Sequence, residues 1–588
     1  MRDDARMFLR HTIRRKDGKA HRYWSVVENR RLRGGGTAQK TLLYLGEIND
    51  SQQAGWCKAI EAVAGDKPVQ LCLFPADRQP PQSVEHVQIR MDKLVLKRPR
   101  QWGACWLALE LWARLRLDAF WGPRLPASRE GTHWLHVLKT LVAYRLIDPG
   151  SEFRLHRLWY DRTAMADLLD EDFRLAAKEN LYRCLDKLLP HRDDLFSYLM
   201  PRWRDLFGAQ FEVLLYDLTS TYFEIDPPDP ATSKRRHGYS RDKRSDCVQV
   251  VIALVVTPDG FPLAYEVLPG NTQDKQTLRG FLRHMETRYG KAQRIWVMDR
   301  GVPTEEVLAE MRQSDPPVHY LVGTPKGQLS RLEEAFAVQP WEQVRDKLEV
   351  KLLAEEGEVY VLARSGDRVQ KERAIRNRKL KRLWRRLTEV AAMKRQTQAQ
   401  LLMRLGAAKQ DAGQVWRLVR IETEPFSFAL DRVALRQVRR REGRYVLRTN
   451  LSARDPATLW RMYMRLGEVE QAFKELKNDL GLRPIHHQLE CRIEAHVFVA
   501  FMAYCLQVTL KNMLRDHAGG LTPPRVIEQL AGIQMLDVQA PTTTGQWLTM
   551  SRYTQPDPAA QLLLTLLGLQ LPPQSPPKIS PLAPVDRA

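Results

Sequence analysis

Apolar residues recur with different periods along the chain, and each period predicts a kind of element. Residues of about 1 to 75 alternate polar and apolar in YWSVVENRRL and KTLLYLGEI, which predicts short β-strands around the Gly-rich turn Arg33–Gly36. Residues of about 85 to 205 carry apolar positions at i, i+3, i+4 and i+7 in WLALELWARLRL and WLHVLKTLVAYRLI, which predicts helices. Basic residues on the other helix faces fit either DNA binding or a plain scaffold.

From about residue 211 the pattern changes to short apolar runs. FEVLLYDLT, VQVVIALVVT (248–257), FPLAYEVLPG (261–270), RIWVMD (294–299) and HYLVG (319–323) read as strands. The turn Pro258–Gly260 joins two of them, and helices are expected at about 275–289 and from Pro303. Strands interleaved with helices in this order predict an α/β fold, a mixed sheet flanked by helices.

Residues of about 331 to 447 interrupt that pattern. The strands VYVLA and WRLVRIET flank a helix over 371–387 that carries nine basic residues, one acid and an apolar stripe of Leu380, Leu383, Trp384 and Leu387. A solvated face and a phosphate-contacting face are both compatible with it, and the charge imbalance favours phosphate contacts. The residues expected to bind DNA here are Arg378, Lys379, Arg382 and Arg385. The Pro-rich end after about residue 570 is expected to be disordered.

The net charge of the chain indicates what kind of partner it binds. A formal net charge of +22 over 588 residues indicates a polyanionic partner, of which nucleic acid is the commonest, although a generally basic surface would also produce it. No secretory signal and no run of about 18 apolar residues is present, and the apolar stretch 497–510 is expected to be a buried helix. Seven widely spaced cysteines without CxxC fit a reducing cytoplasm.

Carboxylates occupy two positions where a charge needs a partner. Asp217 and Asp299 follow adjacent apolar strands, where each either caps the next segment or binds a divalent metal. A third carboxylate lies on a predicted helix over 460–481, where Tyr463, Glu470 and Lys477 are each seven residues apart and project from nearly one line. That row is either an ordinary border of the core stripe or a metal ligand between two phosphate-binding side chains.

These motifs together resemble the DDE-class insertion-sequence transposases, and more narrowly the IS-four-type superfamily. The resemblance rests on Asp217 in LLYDLTSTYFE, Asp299 in IWVMDRG, and Tyr463, Glu470 and Lys477 in the following helix. It extends to the segments GYSRDKRSDCVQVVIALVVTPDGFPLAYEVLPGNTQD, GRYVLRTNLS and RPIHHQLECRIEAHVFVAF. The family places Arg three residues after the Tyr, where this chain has Leu466.

The resemblance implies a ribonuclease H-like catalytic domain with a β-rich insertion. The expected organisation is a small β-rich region, itself a candidate for DNA binding (1–80), a helical and DNA-binding region (81–205), the catalytic domain in two parts (206–330 and 448–515), the insertion (331–447), and a C-terminal helical region with a disordered tail (516–588). The location expected for such a protein is the cytoplasm, on the nucleoid in a bacterium, with no membrane association.

The resemblance also implies a reaction. Asp217, Asp299 and Glu470 would be catalytic ligands of Mg²⁺, with Mn²⁺ as a substitute, in two-metal cleavage of transposon ends and strand transfer into target DNA. The resemblance implies that Tyr463 and Lys477 bind DNA phosphates. At about 100° per residue, Lys474 lies about 40° from Glu470 and Arg465 about 140°, so we expect Lys474 rather than Arg465 to bind DNA in place of the missing family Arg. The partners implied are double-stranded DNA with terminal inverted repeats, target DNA, and a second copy in a homodimeric synaptic complex.

Two other functions remain open at this level. A catalytically inactive DNA-binding remnant would keep the fold, and a ribonuclease H-like nuclease would cut without strand transfer. A zinc site is one interpretation of the three histidines that follow the catalytic helix, His486, His487 and His496. Their spacing matches no common zinc site, so structural or DNA-contacting roles are favoured.

Overall fold

The computed structural model describes most of the chain. It describes residues 7–16, 19–31, 37–48, 52–53, 56–57, 60, 89–229, 233–289, 294–324, 326–345, 347–355, 357–393, 397–451 and 455–580. The predicted Gly-rich turn at Arg33–Gly36 lies outside these residues.

An antiparallel meander forms the N-terminal region. Its strands are β1 (Met7–Lys16), β2 (Lys19–Arg31) and β3 (Thr37–Gly46), paired in the order β1-β2-β3. The alternation seen in the sequence buries one face, including Trp24, Val26, Leu43 and Leu45. The strands predicted here are confirmed.

The region of about 85 to 205 contains one strand before its helices. Strand β4 (Val95–Gln101) precedes α1 (Gly103–Arg114), α2 (Leu117–Trp121), α3 (Trp134–Ile147), α4 (Met165–Leu169), α5 (Lys178–Leu185) and α6 (Arg192–Phe207), counting helices of five or more residues. The prediction that this region is all helical was therefore wrong at β4, where Pro99 disfavours a helix. Arg100 of this strand is buried and paired with Asp167 and Asp537.

A nine-stranded sheet forms the centre of the protein. Its strands are β5 (Val213–Phe223), β6 (Val248–Val256), β7 (Pro262–Pro269), β8 (Ile295–Met298), β9 (His319–Gly323), β10 (Glu342–Arg345), β11 (Leu348–Glu355), β12 (Glu358–Ser365) and β15 (Arg444–Thr449), in the order β10-β11-β12-β15-β9-β8-β5-β6-β7. Strands β5, β6 and β7 are antiparallel, whereas β8 and β9 run parallel to β5. The half β7-β6-β5-β8-β9 has the strand order of the ribonuclease H-like fold, and the predicted mixed α/β sheet is confirmed.

Helices cover both faces of this sheet. Helices α7 (Asp274–Tyr289) and α8 (Glu305–Gln313) pack on one face with Leu214, Tyr216 and Met298. The other face holds Leu215 and Val297 and joins the core of the N-terminal helices. Because both faces are covered, β6 is buried along its whole length, which explains its unbroken apolar run.

The segment between β9 and β15 combines strands with helices. It begins with α9 (Lys326–Ala337) and the strands β10, β11 and β12, which extend the central sheet. It continues with α10 (Gly366–Ala391), α11 (Gln398–Ala412), the hairpin β13 (Val419–Thr423) and β14 (Phe426–Leu430), and α12 (Arg432–Arg441). Of the predicted apolar stripe, Leu383 and Leu387 are buried in a separate small core and Leu380 packs against it, whereas Trp384 is 39% exposed.

The helix predicted over 460–481 is interrupted. Helix α13 (Pro456–Met464) ends before Arg465, α14 (Gly467–Lys474) follows, and a π-helical turn spans Glu475–Asp479. At the junction the amides of Arg465 and Leu466 bond to carbonyls three residues earlier, so the helix is tightened there. The prediction of a single straight helix was therefore wrong, and residues before and after Arg465 are not related by the regular turn of about 100° per residue.

The long helix α15 (Glu490–His517) lies in the protein core. It is apolar and long enough to cross a membrane by length and composition, but 94% of its apolar window is buried inside the protein. The sequence prediction of a buried helix in this stretch is confirmed.

The C-terminal region contains strands as well as helices. Helix α16 (Pro523–Leu530), β16 (Gln534–Pro541), β17 (Trp547–Tyr553), α17 (Pro558–Leu566) and β18 (Lys578–Ser580) follow in order, and β18-β17-β16-β4 form a sheet. The prediction of disorder after residue 570 was wrong as far as residue 580. Strand β18 pairs with β17, and Gln574 bonds to the backbone of Tyr553. Residues 581–588 lie outside the described residues.

Candidate active site

Asp217 and Asp299 lie side by side on one face of the central sheet. Asp217 shares a face with Leu215, and Asp299 shares it with Val297, because side chains alternate along a strand. Tyr216 pairs with Met298 in the parallel ladder, so each carboxylate is the next residue beyond that pair. Asp299 follows the end of β8 as predicted, but Asp217 lies inside β5, which continues with β6 alone to Phe223.

Glu470 is brought to the same face by helix α14. Val469 and Phe473 of this helix are buried in the core on that side of the sheet, and the helix contacts β5 and β6. The Glu470 residue remains exposed on the helix surface. Asp217, Asp299 and Glu470 are called the carboxylate site below.

The electrostatics of Asp217 show that the three carboxylates are neighbours. Burial is the largest cause that raises the pKa of Asp217 to about 7, and the charges of Asp299 and Glu470 contribute to the increase. The Leu218 amide and Arg241 act in the opposite direction without cancelling the shift. A carboxyl group held among like charges favours protonation, or a cation that replaces the proton.

Tyr463 stands at the end of strand β9, beside the carboxylate site. A Cβ added to Gly323 would lie 2.5 Å from the Tyr463 hydroxyl oxygen, so the tyrosine needs a glycine beneath it. Burial, with Asp299 the next contributor, raises the pKa of Tyr463 to about 12, and Arg300, Arg368 and Glu470 also act on it. Glu470 acts electrostatically on Tyr463 although the helix is interrupted between them, and the joint role of the two residues at the site stays a prediction.

Arg241 is a site residue that the sequence analysis did not single out. It lies in the loop between β5 and β6, and its amide donates to Ser220 Oγ of β5 at 3.3 Å. The loop approaches closely because Gly238 and Gly270 meet: a Cβ on Gly238 would lie 2.1 Å from the Gly270 carbonyl oxygen. The signal was present in the family-like segment beginning GYSRDK, but spacing alone does not reveal which of its cations faces the carboxylates.

Lys477 is held in an ion cluster with the same loop. Its Nζ donates to Asp242 Oδ1 at 2.9 Å, and Arg483 Nη1 lies 2.5 Å from the same oxygen. The side chains of Lys477 and Asp242 are both 9% exposed, so this is a buried pair. Burial lowers the pKa of Lys477, with Arg483 and Arg241 adding to the effect against Asp242. The cluster therefore contains three cations and one carboxylate.

Lys474 and Arg465 lie on exposed positions. Lys474 acts electrostatically on Asp479, whose pKa is raised by burial and lowered by this lysine. The cation that acts on Asp217 is Arg241. The proximity of Lys474 to phosphate at the site stays a prediction.

The basic helix α10 exposes the residues predicted to bind DNA. Arg378, Lys379, Arg382 and Arg385 are all exposed. Arg382 lies 3.9 Å from Asp411 and Arg385 lies 3.9 Å from Glu389, whereas Arg378 and Lys379 have no ion-pair partner among the described residues. Weak or absent pairing leaves these cations available to an external anion.

Two of the three histidines lie in a buried ionic cluster. His487 Nε2 and His496 Nδ1 lie 3.2 and 3.7 Å from Glu152 Oε1, and Arg145 Nη2 lies 3.8 Å from it. Burial lowers the pKa of His496 to about 4, with Arg145 as the second cause. Although the donor atoms of Glu152, His487 and His496 are close enough for a metal, the Arg145 guanidinium already neutralises the carboxylate, so a structural role is favoured. His486 is exposed and outside this cluster.

Family models match two parts of the chain. A model described as a transposase DDE domain matches residues 215–506, and one described as the N-terminal domain of IS1634 family transposases matches residues 9–67. Together they account for more than half of the chain. It belongs to the DDE transposases of insertion sequences. The resemblance seen in the sequence is confirmed, and the transposase is an enzyme that acts on DNA.

Comparisons with individual proteins add little to this assignment. No curated protein matches the transposase. Among solved structures, a piggyBac transposase synaptic complex with hairpin DNA is similar with a TM-score of 0.34 and 8% identity, over 73% of this chain and 79% of that one. The DDE domain match spans Asp217, Asp299 and Glu470, and enzymes of this class use divalent metal ions.

Proposed function

We propose that Asp217, Asp299 and Glu470 are the catalytic carboxylates of the transposase and hold Mg²⁺, with Mn²⁺ as a substitute. The observation that carries this proposal is the placement of Asp217 and Asp299 beyond one strand pair, where burial and the charges of Asp299 and Glu470 raise the pKa of Asp217. Such a donor set fits hard divalent cations, which take oxygen ligands. When bound, the ions would supply charge stabilisation and nucleophile activation for phosphoryl transfer.

The surrounding side chains would hold the DNA strand. Tyr463, over Gly323, and Arg241, beside Asp217, flank the carboxylates and would position a phosphate next to them. Lys477 and Arg483 would contact a neighbouring phosphate, and Asp242 would release them as that phosphate takes its place. Positioning and charge neutralisation are what this chemistry requires of the protein.

DNA binding beyond the site would come from exposed cations. The exposed face of α10 and Lys474 would contact the phosphates of double-stranded DNA, and the N-terminal regions would contribute to recognising the terminal inverted repeats. Cleavage of both ends requires two active sites, so we expect a homodimer in the synaptic complex. A nucleoid-bound location in the cytoplasm follows from this function.

Labelled DNA from the ends of the element that carries this gene tests the proposal against its two alternatives. With Mg²⁺ and a plasmid target, a transposase yields both cleaved ends and strand-transfer products. Binding without cleavage would identify an inactive remnant, and cleavage without joined products, even from pre-cleaved ends, would identify a nuclease. Glu470→Gln should abolish both reactions and leave DNA affinity nearly unchanged, because affinity depends on Lys and Arg.

A further inference from the structure

A group of nitrogen and oxygen donors lies far along the chain from the carboxylate site. His133 immediately precedes helix α3, His136 lies in its first turn, and Glu171 follows α4. One potential ligand atom from each of the three lies within 4.8 Å of the other two. Nothing in the proposed reaction uses these side chains.

The donors converge on one point. His133 Nδ1 and His136 Nδ1 lie 2.5 and 2.7 Å from the same oxygen, Glu171 Oε1. The imidazole rings meet edge to face with centroids 5.4 Å apart, so their nitrogens reach the carboxylate from different directions. Two imidazoles and one carboxylate form a ligand set that zinc accepts, with a further position left for water.

The surroundings suit a bound ion that remains open to solvent. Side-chain exposure is 53% for His133, 29% for His136 and 15% for Glu171, so the carboxylate is fixed while the imidazoles border water. Unlike the buried ionic cluster, no arginine or lysine forms an ion pair with Glu171 among the described residues. The carboxylate would therefore be available to balance the charge of a metal.

The spacing requires only a small adjustment. Two ligands of a tetrahedral zinc ion are separated by about 3.3 Å, given bond lengths of about 2.0–2.1 Å. The present distances of 2.5 and 2.7 Å are shorter, so Glu171 must withdraw by less than about 1 Å to admit the ion. Glu171 belongs to a short turn between α4 and the next helical segment, Phe173–Ala176.

We propose that His133, His136 and Glu171 bind a transition-metal ion of the zinc class, separate from the ions of the carboxylate site. Imidazole nitrogens favour such metals over Mg²⁺. The ion would fasten the first turn of α3 to the turn after α4. Because α3 packs against α15 in the core, the site would stabilise the helical region on the catalytic part.

Zinc titration of the metal-free full-length protein by calorimetry tests the site. Excess Mg²⁺ keeps the carboxylate site occupied. We expect one tightly bound Zn²⁺, and an affinity at least about 100-fold lower in His133→Ala and in Glu171→Gln, since even outer-shell changes alter affinity 10–100-fold. His284→Ala, an exposed histidine on α7, is the matched control and should bind as the unmodified protein does.

Two further measurements distinguish the site from other zinc-binding groups. Co²⁺ in place of zinc should give visible bands without the intense near-ultraviolet absorption of thiolate ligands, which excludes Cys57 and Cys491. Glu171→Gln keeps the side-chain size and can still accept hydrogen bonds, so circular dichroism should show an unchanged fold. No tight zinc binding by the unmodified protein, or equal binding by all variants, would overturn the proposal.

Discussion

The carboxylate site and the buried ionic cluster both gather ionisable side chains, but they balance their charges differently. In the carboxylate site, burial raises the pKa of Asp217, and the charges of Asp299 and Glu470 contribute to the increase. In the buried ionic cluster, burial would raise the pKa of Glu152, but hydrogen bonds from His487 and His496 overcome it and hold that pKa well below its usual range. A carboxylate whose pKa stays raised favours binding of a further cation, whereas a carboxylate already neutralised by its neighbours favours a structural role.

The largest stability effect should come from breaking the compensated cluster. Glu152→Gln removes the anion and leaves Arg145 buried without its charge partner, so we expect a loss of about 3–5 kcal/mol of unfolding free energy. Urea unfolding measures it. The matched control is Asp148→Asn, whose partner Arg154 is 44% exposed and whose pair should contribute at most about 1 kcal/mol. Equal losses in the two variants would mean that burial does not distinguish these pairs.

Cations around the carboxylate site should affect the rate instead of the stability. Because Arg241 acts on Asp217, Arg241→Ala should lower single-turnover cleavage by about 10–1,000-fold, the scale of a lost electrostatic stabiliser. Lys474→Ala should lower the cleavage rate less than Arg241→Ala does. Arg465→Ala should lower that rate by less than about tenfold. A larger loss for Lys474 than for Arg241 would restore the sequence-based hypothesis that Lys474 replaces the family arginine.

The two clusters should also respond to pH with opposite signs. The raised pKa of Asp217 gives a contribution to stability that is present below its unfolded pKa near 4 and is lost as pH rises through about 7. The lowered pKa values of Glu152 and His496 give contributions that are lost as pH falls.

Metal-free unfolding between pH 5 and 8 should therefore show Asp217→Asn gaining stability over the unmodified protein as pH rises, by about 1–2 kcal/mol at pH 8. Added Mg²⁺ should remove this difference in stability, because it should stabilise the unmodified protein and not Asp217→Asn. A stability difference independent of pH would mean that neither burial nor the neighbouring carboxylates raise the pKa of Asp217.

The smallest effect concerns the basic helix α10. DNA binding should weaken with salt. If four exposed cations of this helix contact phosphates, replacing all four with Gln should lower the slope of log affinity against log salt by about 2–3, since two of them already lie near acids. The residues replaced are Arg378, Lys379, Arg382 and Arg385. Arg279→Gln with Arg288→Gln, which pair with Glu310 and Asp194, is the control. An unchanged slope would make the helix a solvated face.

The sequence was informative where local pattern and tertiary structure agree. Apolar runs located strands of the central sheet, and the family-like motifs singled out Tyr463 and Asp299, which interact electrostatically. It failed where distant contacts decide the outcome: β4 and β16 are strands because they pair with each other across more than 400 residues. Arg241 and the pairing of Lys477 with Asp242 depend on a loop position that no periodicity encodes.

Metal specificity tests the central claim most directly. Asp217→Cys replaces a hard oxygen ligand with a thiolate, which Mg²⁺ disfavours and which softer Mn²⁺ accepts better. Cleavage of labelled transposon ends should be lost by at least about 1,000-fold in Mg²⁺ and partly restored in Mn²⁺, whereas the Asp217→Asn control should stay inactive in both metals. Equal activity of Asp217→Cys in the two metals, or substantial cleavage by Asp217→Asn, would contradict the assignment of Asp217 as a metal ligand.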